Sequence, residues 1–225
     1  STLFPYTTLF RCCCGPVCPM GCCKLVVGTG KRKGNFMRRV LLAVAAAILI
    51  VVAIVLVRTF MVAAPAAEKI AHPIGGVLEV VPFAADGVAG ERPLLFTANG
   101  TKLEQRNYAY WTDVPVAMLR DQTIAYLRSA GVADKVVPSE LRIGGSYRIR
   151  GDIKRLEQSV GGKKSAGVIE IELSLIDEDT DALVIDKVYR SEQPAADDTI
   201  DAAVTALDAG LQDILKRFVA DIDAR

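Results

Sequence analysis

Residues 40–57 constrain this chain more than any other stretch, because eighteen consecutive positions carry no polar side chain (VLLAVAAAILIVVAIVLV). As a helix, this run is about 27 Å long at ~1.5 Å per residue, close to the ~30 Å hydrocarbon core of a bilayer. A helix buried in a protein core usually keeps a polar face over such a length, so that alternative is weaker. The sequence therefore predicts a transmembrane signal-anchor over residues 37–62.

The charges around this run favour one orientation. Residues 1–67 contain eight Lys or Arg and no acid, whereas residues 68–225 contain nineteen basic and 26 acidic residues. Basic flanks stay in the cytoplasm, so the acidic body is expected in the periplasm, anchored in the inner membrane. The run is longer than the ~7–15 apolar residues of a cleaved signal peptide, which favours a retained anchor. This pattern is typical of a membrane-targeted chain and argues against nucleic acid as a partner.

All six cysteines lie between positions 12 and 23. A disulfide framework joins distant segments, and a zinc site needs a loop between its ligand pairs, so neither fits CCCGPVCPMGCC. Metal binding in a disordered tail, or acylation near a membrane, stays open. Residues 2–11 (TLFPYTTLFR) resemble the conceptual translation of a sequencing adapter. We therefore expect residues 1–36 to be a non-native or disordered extension.

Residues 63–76 are rich in Pro, Gly and Ala and predict a linker before a domain over residues 77–225. His72, the only histidine, lies in this linker. The domain contains no cysteine and no further histidine, so His-dependent nucleophilic catalysis lacks its partner. It also lacks a phosphate-binding loop, and no carboxylate pair stands out. We predict no enzymatic activity, no cofactor and no metal.

The first half of the domain predicts three strands, a hairpin and a helix. The strands are residues 77–81, 93–97 and 103–111, with an Asn99-Gly100 hairpin turn between the last two. The helix is expected to be capped by Thr112 or Asp113, to hold Pro115 in its first turn, and to end at Gly131.

The second half predicts an antiparallel pair, residues 147–154 and 168–177, followed by a turn at 178–181 and a strand at 183–190. On the exposed face of the pair, basic residues would lie opposite glutamates. A final helix, capped by Asp197 or Asp198, has a 3.6-residue apolar period, and Gly210 within it suggests close approach to a strand. Together these elements predict an α+β fold, with an antiparallel or mixed sheet and two helices packed on one face.

The domain resembles the ABC-type transport auxiliary lipoproteins, the PqiC/YmbA-like family found with Mce-domain lipid transporters. The resemblance covers residues 77–215 and is carried by LEVVPFAADGVAGERPLLF, LEQRNYAYWTDVPVAMLRDQTIAYLRSAGV, YRIRGDIKRLE, IEIELSLID and KVYR. It implies a non-enzymatic envelope protein that works with an Mce-domain substrate-binding protein, an ABC permease and an ATPase to move phospholipid or other hydrophobic cargo. Membrane and lipid are further expected partners.

This chain departs from the family in its anchor, since relatives are normally lipidated on a cysteine and no cysteine follows residue 23. An outer-membrane lipoprotein would be expected if a lipidation motif was lost in sequence assembly. A second function, an envelope module that binds peptidoglycan or an outer-membrane machine, also suits a small α+β domain.

Three aromatic residues, Tyr108, Tyr110 and Trp111, are candidates for a partner interface, with a place in the core as the alternative. Strand periodicity puts Tyr108 and Tyr110 on one face and Trp111 on the other.

Overall fold

A computed structural model describes residues 40, 42–44, 58–61, 67–98, 102–161 and 164–225. The chain divides into two compact units, Ser1–Ile48 and Leu49–Arg225. In the first unit, residues 40 and 42–44 are helical and exposed. Within the ranges described, no helix is both long enough and apolar enough to cross a bilayer. Most of the predicted anchor over residues 40–57, and all of residues 1–36, lie outside those ranges.

The second unit is a mixed sheet with two helices, which confirms the predicted α+β class. In the described residues its strands are β1 Arg58–Phe60, β2 Ile74–Val80, β3 Ala84–Ala85, β4 Pro93–Ala98, β5 Lys102–Trp111, β6 Ala133–Pro138, β7 Tyr147–Val160, β8 Ala166–Asp177 and β9 Ala182–Pro194. The helices are α1 Pro115–Ala130 and α2 Ile200–Asp223, with 3-10 turns at Gly87–Gly90 and Ser139–Leu141.

Strand β7 organises the sheet. It pairs with β8 in antiparallel orientation along nearly its whole length, and β8 pairs in the same way with β9. Along its other side, β7 pairs in parallel with β2, then β3, then β4. Strand β6 extends the β2 arm, while β5 and β1 extend the β4 arm. We call the end of the sheet at Ala98, Lys102, Val160 and Ala166 the hairpin end, because two hairpins turn there.

Helix α2 packs against β8 and β9 as its sequence period predicts. Its apolar positions lie in the core, with Leu211, Ile214 and Phe218 all 0% exposed. Burial of each large side chain contributes roughly 1.5–3 kcal/mol before entropy costs. The predicted close approach at Gly210 is confirmed, because a Cβ atom there would lie 2.8 Å from Cγ2 of Ile169.

The ends of α1 confirm two predictions and correct one. Pro115 is the first helical residue, and Gly131 has the left-handed φ of 69° that ends a helix. The predicted cap by Thr112 or Asp113 is wrong, because Val114 is the N-cap residue and makes no side-chain cap hydrogen bond. Asp113 Oδ1 instead accepts a hydrogen bond from the backbone N–H of Val114 at 2.7 Å, one residue too early to cap the helix.

The start of α2 also differs from the prediction. Thr199, rather than Asp197 or Asp198, is the N-cap, and its Oγ1 accepts a hydrogen bond from the backbone N–H of Ala202 at 3.2 Å. Asp197 lies just before the helix, and its Oδ1 accepts a hydrogen bond from the backbone N–H of Thr199 at 2.8 Å. The hydrogen bond that the Thr199 hydroxyl donates to Asp197 Oδ1, and then this backbone contact, lower the pKa of Asp197. The acidic residue therefore orders the turn that presents the capping threonine.

The residues before β2 are fastened to the domain. The backbone N–H of Ile70 donates to Ala130 O at 3.0 Å, and the backbone N–H of His72 donates to Asp223 Oδ1 at 2.7 Å. The ring nitrogen His72 Nδ1 also lies 3.2 Å from that oxygen. The first predicted strand is confirmed, but it begins at Ile74 rather than at residue 77.

Candidate functional site

The side chains of β7 and β8 alternate between the core and the outer face of the sheet, as their sequence predicts. Ile149 and Ile153 of β7, and Ile171 and Leu173 of β8, point into the core at 0–1% exposure. Arg150 and Asp152 of β7 and Glu172 of β8 face the other side and are half-buried or exposed. The predicted charge matching is confirmed only in part: Arg155 lies opposite Glu170, but Asp152 lies opposite Glu172.

A bulge in β7 places a lysine between these two facing carboxylates, where its positive charge offsets their repulsion. The register shifts between Ile153 and Arg155, so Lys154 is the extra residue. Its Nζ lies 2.6 Å from Asp152 Oδ2, 3.1 Å from Glu172 Oε2 and 3.5 Å from Asp86 Oδ2. Hydrogen bonds to Asp152 and then Glu172 raise the pKa of Lys154 above its ordinary value.

We expect Lys154→Met to lower the melting temperature at pH 7, because three carboxylates lose their shared cation. The ordinary lysine pKa is about 10.4, and the folded value is higher. The lysine's contribution is therefore complete below ~pH 10.4 and is lost as the pH rises above it. Thermal unfolding of both proteins between pH 7 and pH 11 should show the difference shrinking at the alkaline end. Lys216→Met, at an exposed lysine of α2, is the control and should change little. A difference independent of pH would contradict this role.

Beside the bulge, the outer face of the sheet carries an elongated groove. It consists of two depressions of about 400 Å³ and about 610 Å³ that share Val81 and Arg150. No residue of α1 or α2 lines either depression. We call this surface the open-face groove; its lining includes Glu79, Val81, Pro82, Arg142, Arg148, Arg150, Ile176 and Leu183. It lies toward the end of the sheet where β7 begins.

The open-face groove is basic at one side and apolar along its rim. Arg142, Arg148 and Arg150 line the larger depression, and Arg148 pairs with Glu178 at 2.9 Å. Next to Arg142, the side chains of Leu141 and Ile143 are 58% and 54% exposed. Guanidinium groups next to exposed aliphatic side chains are typical of protein interfaces, where arginine and apolar anchors combine.

The three candidate aromatic residues have separate environments. Trp111 is 1% exposed and lies in the core, Tyr110 is half-buried, and Tyr108 is 63% exposed with a φ of 62°. A positive φ is uncommon for a bulky residue and marks a local constraint. The interface role of the three residues stays a prediction, and Tyr108 is the most exposed of them.

A wide bulge in β5 explains why simple alternation did not place Tyr108. Four residues, from Arg106 to Ala109, lie opposite Leu94 alone, between the pairs Leu95–Gln105 and Pro93–Tyr110. Arg106 is drawn inward, since its guanidinium lies 4.2 Å from the ring centre of Phe96 and donates to Gln158 Oε1 at 2.8 Å. The sequence carries no glycine there to signal a bulge.

One tyrosine with a raised pKa, Tyr189, lies away from the groove and packs under α2. Tyr189 is 0% exposed, and its hydroxyl donates to Asp221 Oδ2 at 2.6 Å. Burial, and then this hydrogen bond, raise the pKa of Tyr189. The same contact, followed by that of Lys187, lowers the pKa of Asp221. The group joins the last turns of α2 to β9, which is a structural role.

The groove presents charged, polar and apolar side chains. In the ranges that the structure covers, no group of three or more His, Cys, Asp or Glu side chains is placed to hold a metal ion. The hydroxyl of Ser174 in the groove donates to Asp186 Oδ1 at 2.8 Å, and His72 contacts Asp223 at the end of α2. The groove thus offers charged and apolar contacts to a ligand or partner.

Comparison with known proteins identifies the domain. The model of the ABC-type transport auxiliary lipoprotein component family matches residues 59–219, from β1 to the last turns of α2. This chain belongs to that family. The resemblance drawn from the sequence is therefore confirmed. Auxiliary lipoproteins of ABC-type transport are cell-envelope proteins, so the chain is assigned to the envelope.

Solved structures show that the fold of this transport auxiliary protein is shared. Protein XCC0632 from Xanthomonas campestris is 17% identical, with a TM-score of 0.65 over 74% of this chain and 96% of its own. A further crystal structure, described as an uncharacterized protein, is 17% identical, with a TM-score of 0.57 over 69% of this chain and 97% of its own. A comparison with curated proteins gives no significant match.

Proposed function

We propose that this auxiliary protein is a non-catalytic accessory subunit of an Mce-type ABC lipid transport system. In this proposal, residues 40–57 anchor it in the inner membrane, and the domain works in the periplasm beside an Mce-domain substrate-binding protein, a permease and an ATPase. The observation that carries the proposal is the family match across residues 59–219. The cargo would be phospholipid or another hydrophobic molecule that crosses between the two membranes.

The open-face groove is the surface that we assign to the Mce-domain partner. It combines exposed aliphatic side chains with arginines, of which Arg150 is exposed on the central strand of the sheet. Energy for transport would come from the ATPase, and this subunit would contribute binding and alignment.

The proposal is tested by co-purification of the full chain from membranes that contain the whole transport system. We expect the Mce-domain protein to be recovered with the wild type. Charge reversal of two groove arginines, Arg142→Glu with Arg150→Glu, should reduce recovery about tenfold, equivalent to ~1.4 kcal/mol. The matched control is Arg190→Glu with Lys216→Glu, two exposed cations outside the groove.

Two outcomes would contradict the proposal. The wild type could fail to recover any subunit of the system, or it could be retained on isolated peptidoglycan without them, which would favour an envelope-assembly module. Equal losses in the groove variant and the control variant would keep the function but remove the groove as its docking surface.

A further inference from the structure

We propose that the open-face groove contains a subsite for the headgroup of an ethanolamine phospholipid, in which Glu79 accepts the ammonium group and Arg142 and Arg150 hold the phosphodiester. This inference rests on the proposed function, because a phospholipid cargo is what brings such a headgroup to the groove. It adds the class of lipid and the residue that selects it. The subsite lies in the larger depression, inside the groove whose rim would contact the Mce-domain partner.

Glu79 is buried on the outer face of β2 without a partner for its charge. Its neighbours Leu78 and Val80 are 0% exposed and point into the core, so Glu79 points to the opposite face. The residue is only 8% exposed, and it lines the larger depression. No hydrogen bond or ion pair joins its carboxylate to another residue that the structure describes. A buried carboxylate is usually paired, because its desolvation is otherwise uncompensated, so this one indicates a ligand that supplies a cation.

The loop between β6 and β7 produces this burial. Gly145 packs directly on the glutamate, since a Cβ atom there would lie 2.7 Å from Glu79 Cγ and 3.0 Å from the carbonyl oxygen of Val77. Gly144 beside it has a left-handed φ of 71°, a conformation that favours glycine. The two glycines therefore let the loop cover the aliphatic part of Glu79, while the side chain still lines the depression.

The neighbouring arginine does not neutralise Glu79. Arg148 is its partner residue across the parallel β2–β7 pair, yet the guanidinium of Arg148 contacts Glu178 at 2.9 Å. Arg142 and Arg150 line the same depression and form no ion pair with a residue in the described ranges. Arg150 follows Arg148 by two residues on the same face, about 6.6 Å along the strand. One depression thus offers an unpaired carboxylate and two unpaired guanidinium groups.

A ligand that satisfies both charges carries a cation and an anion close together. In an ethanolamine phospholipid, a short ethylene group joins the ammonium to the phosphodiester. The ammonium donates hydrogen bonds to a carboxylate, and the planar guanidinium of arginine fits phosphate oxygens. Choline is a weaker candidate, because aromatic cages recognise quaternary ammonium groups and no described residue that lines the two depressions is aromatic. A glycerol headgroup has no cation and would leave Glu79 unpaired.

The smaller depression continues the subsite with an apolar surface. The two depressions share Val81 and Arg150, and the smaller one is also lined by Ile176 and by Leu183, which is 59% exposed. The first carbons of an acyl chain would lie over these side chains, where burial of apolar surface is favourable. This contact distinguishes a lipid from a free phosphodiester with the same headgroup, which would bind through the charged groups alone.

The experiment is native mass spectrometry of the full chain in mild detergent, with equal amounts of phosphatidylethanolamine and phosphatidylglycerol added. We expect the wild type to carry about ten times more of the ethanolamine lipid, the factor that one charged hydrogen bond supplies. Glu79→Gln should remove this preference, because the amide has the same shape without the charge. Arg142→Gln with Arg150→Gln should weaken the binding of both lipids. The matched control is Glu192→Gln, at an exposed carboxylate of β9 outside the groove, which should keep the preference.

Two further measurements test the source of the headgroup and the state of Glu79. Glycerophosphoethanolamine, which has the same headgroup and no acyl chains, should compete about tenfold less well than the lipid; equal competition would overturn the lipid as the ligand. Glu79→Gln should melt at or above the wild-type temperature, since no internal partner of the carboxylate is lost. A clear loss of stability would show that the carboxylate is paired within the fold, which would overturn the subsite.

The outcomes separate this inference from the proposed function. A wild type that binds both lipids equally but recovers the Mce-domain protein would overturn the subsite alone. A wild type that prefers the ethanolamine lipid but recovers no transport subunit would overturn the proposed function, while the headgroup site itself remains. Loss of Mce-domain recovery in Glu79→Gln, with the lipid preference unchanged, would assign Glu79 to a protein contact instead.

Discussion

Replacement of Gly167 with alanine is expected to lower the free energy of unfolding by about 3 kcal/mol, at the upper end of overpacking effects. A Cβ atom at this position of β8 would lie 2.8 Å from the backbone nitrogen of Leu207 and 3.0 Å from the carbonyl carbon of Ala206. These are backbone atoms of α2, so no side-chain rotation can relieve the contact. The helix would have to move away from the sheet and would lose packing along its buried side.

The measurement is urea denaturation of the full chain in mild detergent, followed by far-UV circular dichroism. The matched control is Gly75→Ala in β2, where a Cβ would meet no atom within 4 Å. That control should change the unfolding free energy by less than about 0.5 kcal/mol. Similar midpoints for Gly167→Ala and the wild type would mean that α2 does not pack this closely on β8.

The sequence predicts the half of the domain in which neighbours along the chain are also neighbours in space. Strands β7, β8 and β9 form successive antiparallel pairs, and their side chains alternate in a way that the residues alone reveal. Helix α2 is predictable for a similar reason, because its apolar period continues to Ile222. In these elements the sequence pattern agrees with the tertiary packing, so the buried face of each element can be predicted from its own residues.

The remaining half depends on pairings between distant segments. Strands β2, β3 and β4 each pair in parallel with part of β7. Nothing in their own sequences predicts β7 as the partner strand. Parallel neighbours must be joined by long connections, so no turn signal reports them. Two bulges also escape periodicity, at Lys154 and around Tyr108, because each inserts extra residues into a strand that otherwise alternates.

The candidate site could not be predicted from the sequence, because it too depends on pairings between distant segments. Arg148 and Arg150 are visible as the basic side of β7, but Glu79 and Arg142 join them only through the β2–β7 pairing and the loop after β6. The sequence singles out the three aromatic residues but not the environment of each one. Whether Trp111 belongs to the core or to an interface depended on the bulge that separates it from Tyr108.

That separation predicts opposite results for two neighbouring aromatic residues. Trp111→Ala should lower the free energy of unfolding by about 3–5 kcal/mol, because a large core side chain leaves a cavity. Trp111 is 1% exposed, and its strand is held on both sides by Phe60 and Arg92. Tyr108→Ala, at 63% exposure, should change the unfolding free energy by less than about 0.5 kcal/mol.

Urea denaturation of both variants measures this difference, and subunit recovery should be measured on the same preparations. Tyr108→Ala should fold like the wild type, since only an exposed ring is removed. Trp111→Phe keeps most of the core volume and is the control for Trp111→Ala; it should recover more than half of the lost stability. A stable Trp111→Ala protein that failed only in partner recovery would move Trp111 from the core to the interface.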